Sequence, residues 1–161
     1  MLMPNLLFTI TSCLAALVSH QPAAQADAWV TRDVLILQST KDYKTALATA
    51  RQAAARLHMP LNLEGYQPHA QSGLTMSKAD CADSGFDYPA YVARGRNTED
   101  SPFVSVEYSS GYNQFADGYY LVVAAVGAPG SAAVRNVSTS ARQWYADAYA
   151  KRTKVWVGCM H

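Results

Sequence analysis

The chain has 161 residues, 13 basic and 12 acidic side chains, a formal net charge of +1, and 50% hydrophobic residues. That balance supports a folded domain with its own core and excludes a disordered, highly charged chain. No polybasic tract is present, which sets aside nucleic acid and anionic membrane surfaces as main partners, because both need a concentrated positive field.

Residues 1–26 carry no Asp, Glu, Lys or Arg. Within them Leu6–Val18, LLFTITSCLAALV, is shorter than the roughly 20 apolar residues of a bilayer span. Ala24-Gln25-Ala26 then has the small-x-small form of a signal-peptidase site. The segment reads as a signal peptide cleaved before Asp27, although its start, MLMPN, lacks a basic residue. Export leaves a single domain, 27–161, in the periplasm or outside the cell. An alternative is that ITSC at Ile10–Cys13 serves as a lipobox; a lipid on Cys13 is the one route by which this reading places the protein on a membrane. Cys81 and Cys159 survive cleavage, and in an oxidising compartment they are expected to form one disulfide. Closing a loop of that length stabilises by roughly 4–5 kcal/mol in the chain-entropy picture.

In chain order, WVTRDVLILQS at 29–39 predicts a strand. Residues 41–58 predict a helix with Thr40 as its cap and with Tyr43, Ala46, Leu47, Ala50, Ala54 and Leu57 as its buried stripe. Asp42 and Arg56 suit the two ends of its dipole, and Pro60 stops it. LNLEGY, 61–66, reads as a short strand. Residues 65–102 are irregular and rich in Gly and Pro, an insertion in which YPAYVARGR at 88–96 holds a short strand. FVSVEYS at 103–109 alternates, with Val104, Val106 and Tyr108 on one face and Phe103, Ser105 and Glu107 on the other. After a loop from Gly111 to Gly118, YYLVVAAV is apolar on both faces and therefore a central strand. Ser131 caps a second helix over 132–152, with Val134, Val137, Ala141, Trp144, Tyr145 and Ala148 as its inward stripe. KVWVGCM at 154–160 is the last strand, with Val155 and Val157 on one side and Lys154 and Trp156 on the other.

The order predicts an α+β domain: a ferredoxin-like βαβ-ββαβ sandwich, with two helices on one face of an antiparallel sheet. DVLILQSTKDYKTALATARQAA and YLVVAAVGAPGSAAVRNVSTSA are each a strand, a turn and an Ala-rich helix. In these two segments, over 33–64 and 119–158, the chain resembles the SPOR (sporulation-related repeat) domain. Gln38-Ser39-Thr40 stands where that family often has a glycine, and Gly127 follows the second strand directly. The resemblance implies a cell-envelope domain that binds peptidoglycan glycan strands stripped of stem peptides, through the sheet face that the helices leave open.

Nine aromatic residues lie between Phe86 and Tyr120. Tyr112 and Phe115 sit in a polar, Gly-bounded loop, where they either face a partner or fold back over the open sheet face. Tyrosine suits an interface because it joins apolar area to a polar tip. Arg94 and Arg96 in ARGRN are either a solvated turn or a fork for carboxylate or sugar oxygens. Trp156, expected on the open face, either stacks on a sugar or packs under the insertion. Trp156, Tyr112, Phe115, Arg94 and Arg96 are thus the candidate binding residues.

For catalysis the sequence offers little. His58 ends a helix and reads as structural; His69 has no partner by spacing. No Gly-x-Ser-x-Gly, His-Glu-x-x-His or Walker pattern occurs. Asp80, Asp83 and Asp87 miss the spacing of a calcium loop, and Cys159-Met160-His161 supplies too few ligands for zinc. Glu64, Glu99 and Glu107 show no pairing by spacing. The reading is a non-enzymatic binding domain without cofactor or metal, whose partner is peptidoglycan glycan or an envelope protein. The alternative function is a periplasmic inhibitor or immunity protein that engages a cell-wall hydrolase or secreted toxin through its Tyr/Arg-rich loops.

Overall fold

The computed structural model describes residues 29–63, 65–94 and 102–157. The expected signal segment, Cys13, Glu64, Arg96, Glu99 and Cys159 lie outside the described residues. The longest strand, β1 (Trp29–Thr40), organises the domain. It pairs antiparallel with β5 (Tyr120–Gly127) on one side and with β6 (Tyr149–Trp156) on the other, and β4 (Ser105–Tyr108) pairs antiparallel with β5. The result is a four-stranded sheet in the order β4-β5-β1-β6. Two helices, α1 (Tyr43–Leu57) and α3 (Ala132–Ala141), pack on it. This is an α+β domain compatible with a ferredoxin-like arrangement.

Both helices lie on the same face. Leu35, Leu37, Val106, Val122 and Ala124 from the sheet share one core with Ala46, Ala50 and Ala53 of α1 and with Val134 and Ala141 of α3. The α1 stripe is narrower than expected: its buried residues are Ala46, Ala50 and Ala53, while Leu47 is half-buried. Small side chains let the helix backbone approach the sheet closely. The cap of α1 is Asp42 rather than Thr40; its carboxylate accepts from the Thr45 amide at 2.8 Å, and Thr40 instead accepts from the Asp42 amide. At the other end His58 takes a left-handed conformation, and the His58 and Met59 amides close the last turn on Ala54.

Three predicted elements are corrected. LNLEGY forms no strand over its described residues: Leu61 makes a single parallel bridge with Val104, backed by the Asn62 amide on the Val104 carbonyl. The chain then turns away at Gly65, whose φ of +70° is one that other residues rarely adopt. The second helix ends at Ala141 instead of 152, and β6 starts at Tyr149. Two causes combine. Thr139 and Ser140 turn their hydroxyls back onto the Arg135 and Asn136 carbonyls, which weakens the helix from within. The Tyr149–Trp156 segment meanwhile satisfies its backbone along the whole of Trp29–Ile36. YPAYVARGR contains no strand over its described residues.

The insertion carries structure of its own. β2 (Gln67–His69) and β3 (Gly73–Thr75) form a small hairpin, followed by α2 (Lys78–Asp83). The start of α2 is a reciprocal pair in which Ser77 accepts from the Asp80 amide while its hydroxyl donates to the Asp80 carboxylate. His69 accepts from the amides of Gln71 and Ser72 and so shapes the hairpin turn.

The insertion and the 109–119 loop cover the second face of the sheet. Val34, Ile36, Leu121, Val123 and Val155 are buried there against Ala93 and Tyr112, with Tyr91, Phe115 and Tyr119 packed around them. Of the two readings of the aromatic loop, the structure shows the second: the loop folds back and, with the insertion, closes this face. Val155, expected on the side opposite Trp156's open face, is part of this underside core.

Candidate functional site

The residues singled out from the sequence fall in separate places. Tyr112 is 5% exposed and belongs to the underside core. Its neighbour Asn113 ties the loop to β6, donating its amide to the Lys154 carbonyl and accepting from the Thr153 hydroxyl. Phe115 is half-buried beside Tyr112, with the Lys151 ammonium 4.4 Å from its ring centroid. Arg94 is buried at 6% exposure, not solvated; its guanidinium lies against the Phe103 ring and donates to the Phe103 carbonyl at 2.7 Å. Trp156 meets Trp29 edge-to-face, centroids 5.5 Å apart, at the rim of a cleft of about 150 Å³ with Tyr91 and Gly111. Cys81 is a buried free thiol, and no disulfide occurs among the described residues; the expected partner Cys159 lies outside them.

Arg94 and Glu107 belong to a buried polar cluster that holds the insertion under β4. The Tyr91 hydroxyl and the Arg94 amide both donate to Glu107 Oε2, and the Tyr108 amide donates to Tyr91. Burial pushes the Glu107 carboxyl above the usual carboxylate range, although the bond from Tyr91 and the nearby Arg94 charge favour its ionised form. Burial and the neighbouring Glu107 push the Tyr91 phenol well above its ordinary value. The cluster is enclosed and fully engaged, and its geometry is that of a structural tether.

A wide concavity lies elsewhere, on the helix side of the sheet. It is a groove of about 640 Å³ between the end of β1, the outer face of α1 and the α3–β6 connection. That connection is a series of turns: the Trp144 and Tyr145 amides donate to the Ala141 carbonyl, and the Ala148 amide to Tyr145. Because the helix stops at Ala141, Trp144 is thrown outward and is 55% exposed, and Tyr149 is 43% exposed. The Arg56 guanidinium stands 5.2 Å from the Trp144 centroid and 6.0 Å from that of Tyr145. Gln38 and Asp147 add an amide and a carboxylate to the lining. Gln38 sits where the β1–β5 register slips, between Ile36 and Gln38. Its Oε1 and the Tyr145 hydroxyl are both buried without a hydrogen-bond partner.

The sequence contained a signal for this groove. WYADAY, 144–149, holds more aromatic rings than a helix stripe needs, with an acid among them. Assigned to a helix, Trp144 looked like core. Among the described residues no group of three or more His, Cys, Asp or Glu is arranged to hold a metal ion, and no helix is long and apolar enough to cross a membrane. No protein-family model, curated protein or solved structure matches the chain.

Proposed function

We propose that the protein is an exported, cell-envelope binding domain whose ligand is a peptidoglycan glycan strand, held in the groove beside Trp144. The observation that carries this reading is the composition of the groove: an exposed indole backed by an arginine, with a carboxylate and amide side chains in the lining. A pyranose ring has apolar C–H faces and a rim of hydroxyls. The flat face of Trp144 suits the former. Arg56, Gln52 and Asp147, all exposed in its lining, suit the latter, because together they offer both donors and acceptors. The signal-like residues 1–26 support export, and the ferredoxin-like order with its two strand–helix halves supports the SPOR-like resemblance. The surface differs from the one that the resemblance implies, since the sheet underside is filled and the groove lies on the helix side.

The test is co-sedimentation with purified sacculi, before and after amidase removal of stem peptides. The protein is expected in the pellet, enriched on amidase-treated material. Trp144→Ala is expected to stay in the supernatant with an unchanged melting temperature, because the ring is mostly in solvent. Absence of the unmodified protein from both pellets would overturn the glycan reading.

A further inference from the structure

The groove does not end at Tyr149. A second cleft, of about 220 Å³, lies on the underside between Phe115, Tyr119 and Lys151, and Ser39 and Tyr149 line both concavities. Strand pairing explains the passage. β6 begins at Tyr149, opposite Ile36, so β6 supplies no partner to β1 beyond that point, while β5 still pairs with Gln38, Ser39 and Thr40. The last residues of β1 are thus uncovered on the β6 side, and the surface wraps from the helix face to the underside around Ser39 and Tyr149, both exposed.

The two concavities also share a chemical character. Each has an aromatic ring with a cation against it: Arg56 on Trp144 in the groove, Lys151 on Phe115 in the cleft. The Lys151 ammonium is held in place by the Gln114 carbonyl at 2.6 Å, and Lys41 stands 5.4 Å from the Tyr119 centroid at the far side. Asp147 is the one acid lining either concavity. A row of aromatic–cation pairs along a bent path matches a chain of rings that bears negative groups at intervals.

We infer that the groove and the cleft are two halves of one track for an extended, carboxylate-bearing saccharide, with Tyr149 as the ridge between them. The inference rests on the glycan reading of the groove and adds to it a second contact on the strand, made in the cleft.

The test is calorimetric titration of the protein with acid-bearing glycan oligomers of increasing length, from disaccharide to hexasaccharide, beside neutral chito-oligosaccharides of the same lengths. Affinity is expected to rise by at least about tenfold with length, as the second contact becomes intramolecular. Lys151→Gln is expected to remove that gain and the preference for the acidic series while leaving disaccharide affinity intact. Phe115→Ala should act in the same way, and since Phe115 also packs under the sheet, its melting temperature is measured alongside. Equal affinity at every length, with Lys151→Gln silent and Trp144→Ala inactive, would overturn the two-part track while leaving the groove as a single site. Binding at no length would overturn the track together with the glycan reading.

Discussion

Two carboxylates carry opposite pH signatures. Asp33 accepts from Arg152 at 2.8 and 3.1 Å and from the Gly130 amide at 2.7 Å, joining β1, β6 and the turn before α3. The bond from Arg152 holds its carboxyl below the usual carboxylate range. Its contribution to stability is therefore present above the unfolded-chain pKa and is lost as pH falls through the lowered folded value. Glu107 is raised by burial, so its contribution is present below the unfolded-chain pKa and is lost as pH rises through the folded value. Urea denaturation across the acid range checks both. Asp33→Asn is expected to flatten the loss of stability on the acid side, and Glu107→Gln to remove a loss on the side above the usual carboxylate range. Gly73 makes a steric prediction. Its φ is +73°, and a Cβ there would sit 2.2 Å from Tyr108 Cζ. Gly73→Ala is expected to cost at least about 1–2 kcal/mol from the backbone alone. Displacement of the Tyr108 ring adds to that, and denaturant unfolding at neutral pH reads the sum.

At the level of the elements, helix α1 and strand β5 behave as their sequences lead one to expect, and α3 and β6 do not. The reason is the balance of local and long-range terms. KDYKTALATARQAAARLH is built of strong helix formers, so its local preference and its packing agree. In SAAVRNVSTSARQWYADAY the helix formers give way to Val, Ser, Thr and aromatic residues, and the pairing of Tyr149–Trp156 with Trp29–Ile36 takes the second part for the sheet. The alanine face of α1 sets the distance between helix and sheet. Ala50 is fully buried against that sheet. Ala50→Leu is expected to destabilise by about 1–3 kcal/mol through overpacking, seen as a lower denaturation midpoint with an unchanged slope.

For the whole molecule, the decisive feature is that the sheet is covered on both faces. Helices fill one side, and the 91–94 segment with the 109–119 loop fills the other. Tyr112 is the central ring of that second layer. Tyr112→Ala is expected to cost about 3–5 kcal/mol, as for other large buried rings, and to lower the melting temperature without abolishing co-sedimentation on sacculi at low temperature. Trp144→Ala is expected to do the reverse. The pair separates an aromatic residue that holds the fold from one that meets the ligand. Loss of sedimentation in the Tyr112 variant while it remains folded would assign the loop a direct role in binding.

Much of the scaffold was legible from periodicity and caps: the strand over 29–39, the alanine helix, the alternation of Val104 and Val106 against Ser105 and Glu107, the central YYLVVAAV and the Ser131 cap. These are local patterns, settled by a few neighbouring residues. The candidate site was not legible in the same way. Trp144 reads as core until the helix before it is known to stop at Ala141, and Phe115 and Tyr112, three residues apart in one loop, differ in exposure because Tyr112 is enclosed within the underside core while Phe115 packs at its edge. Where strands pair across more than a hundred residues, as β1 does with β6, the partner that completes a surface is remote in the chain. Composition marks which side chains are able to bind, and three-dimensional packing sorts those it buries from those it leaves at the surface.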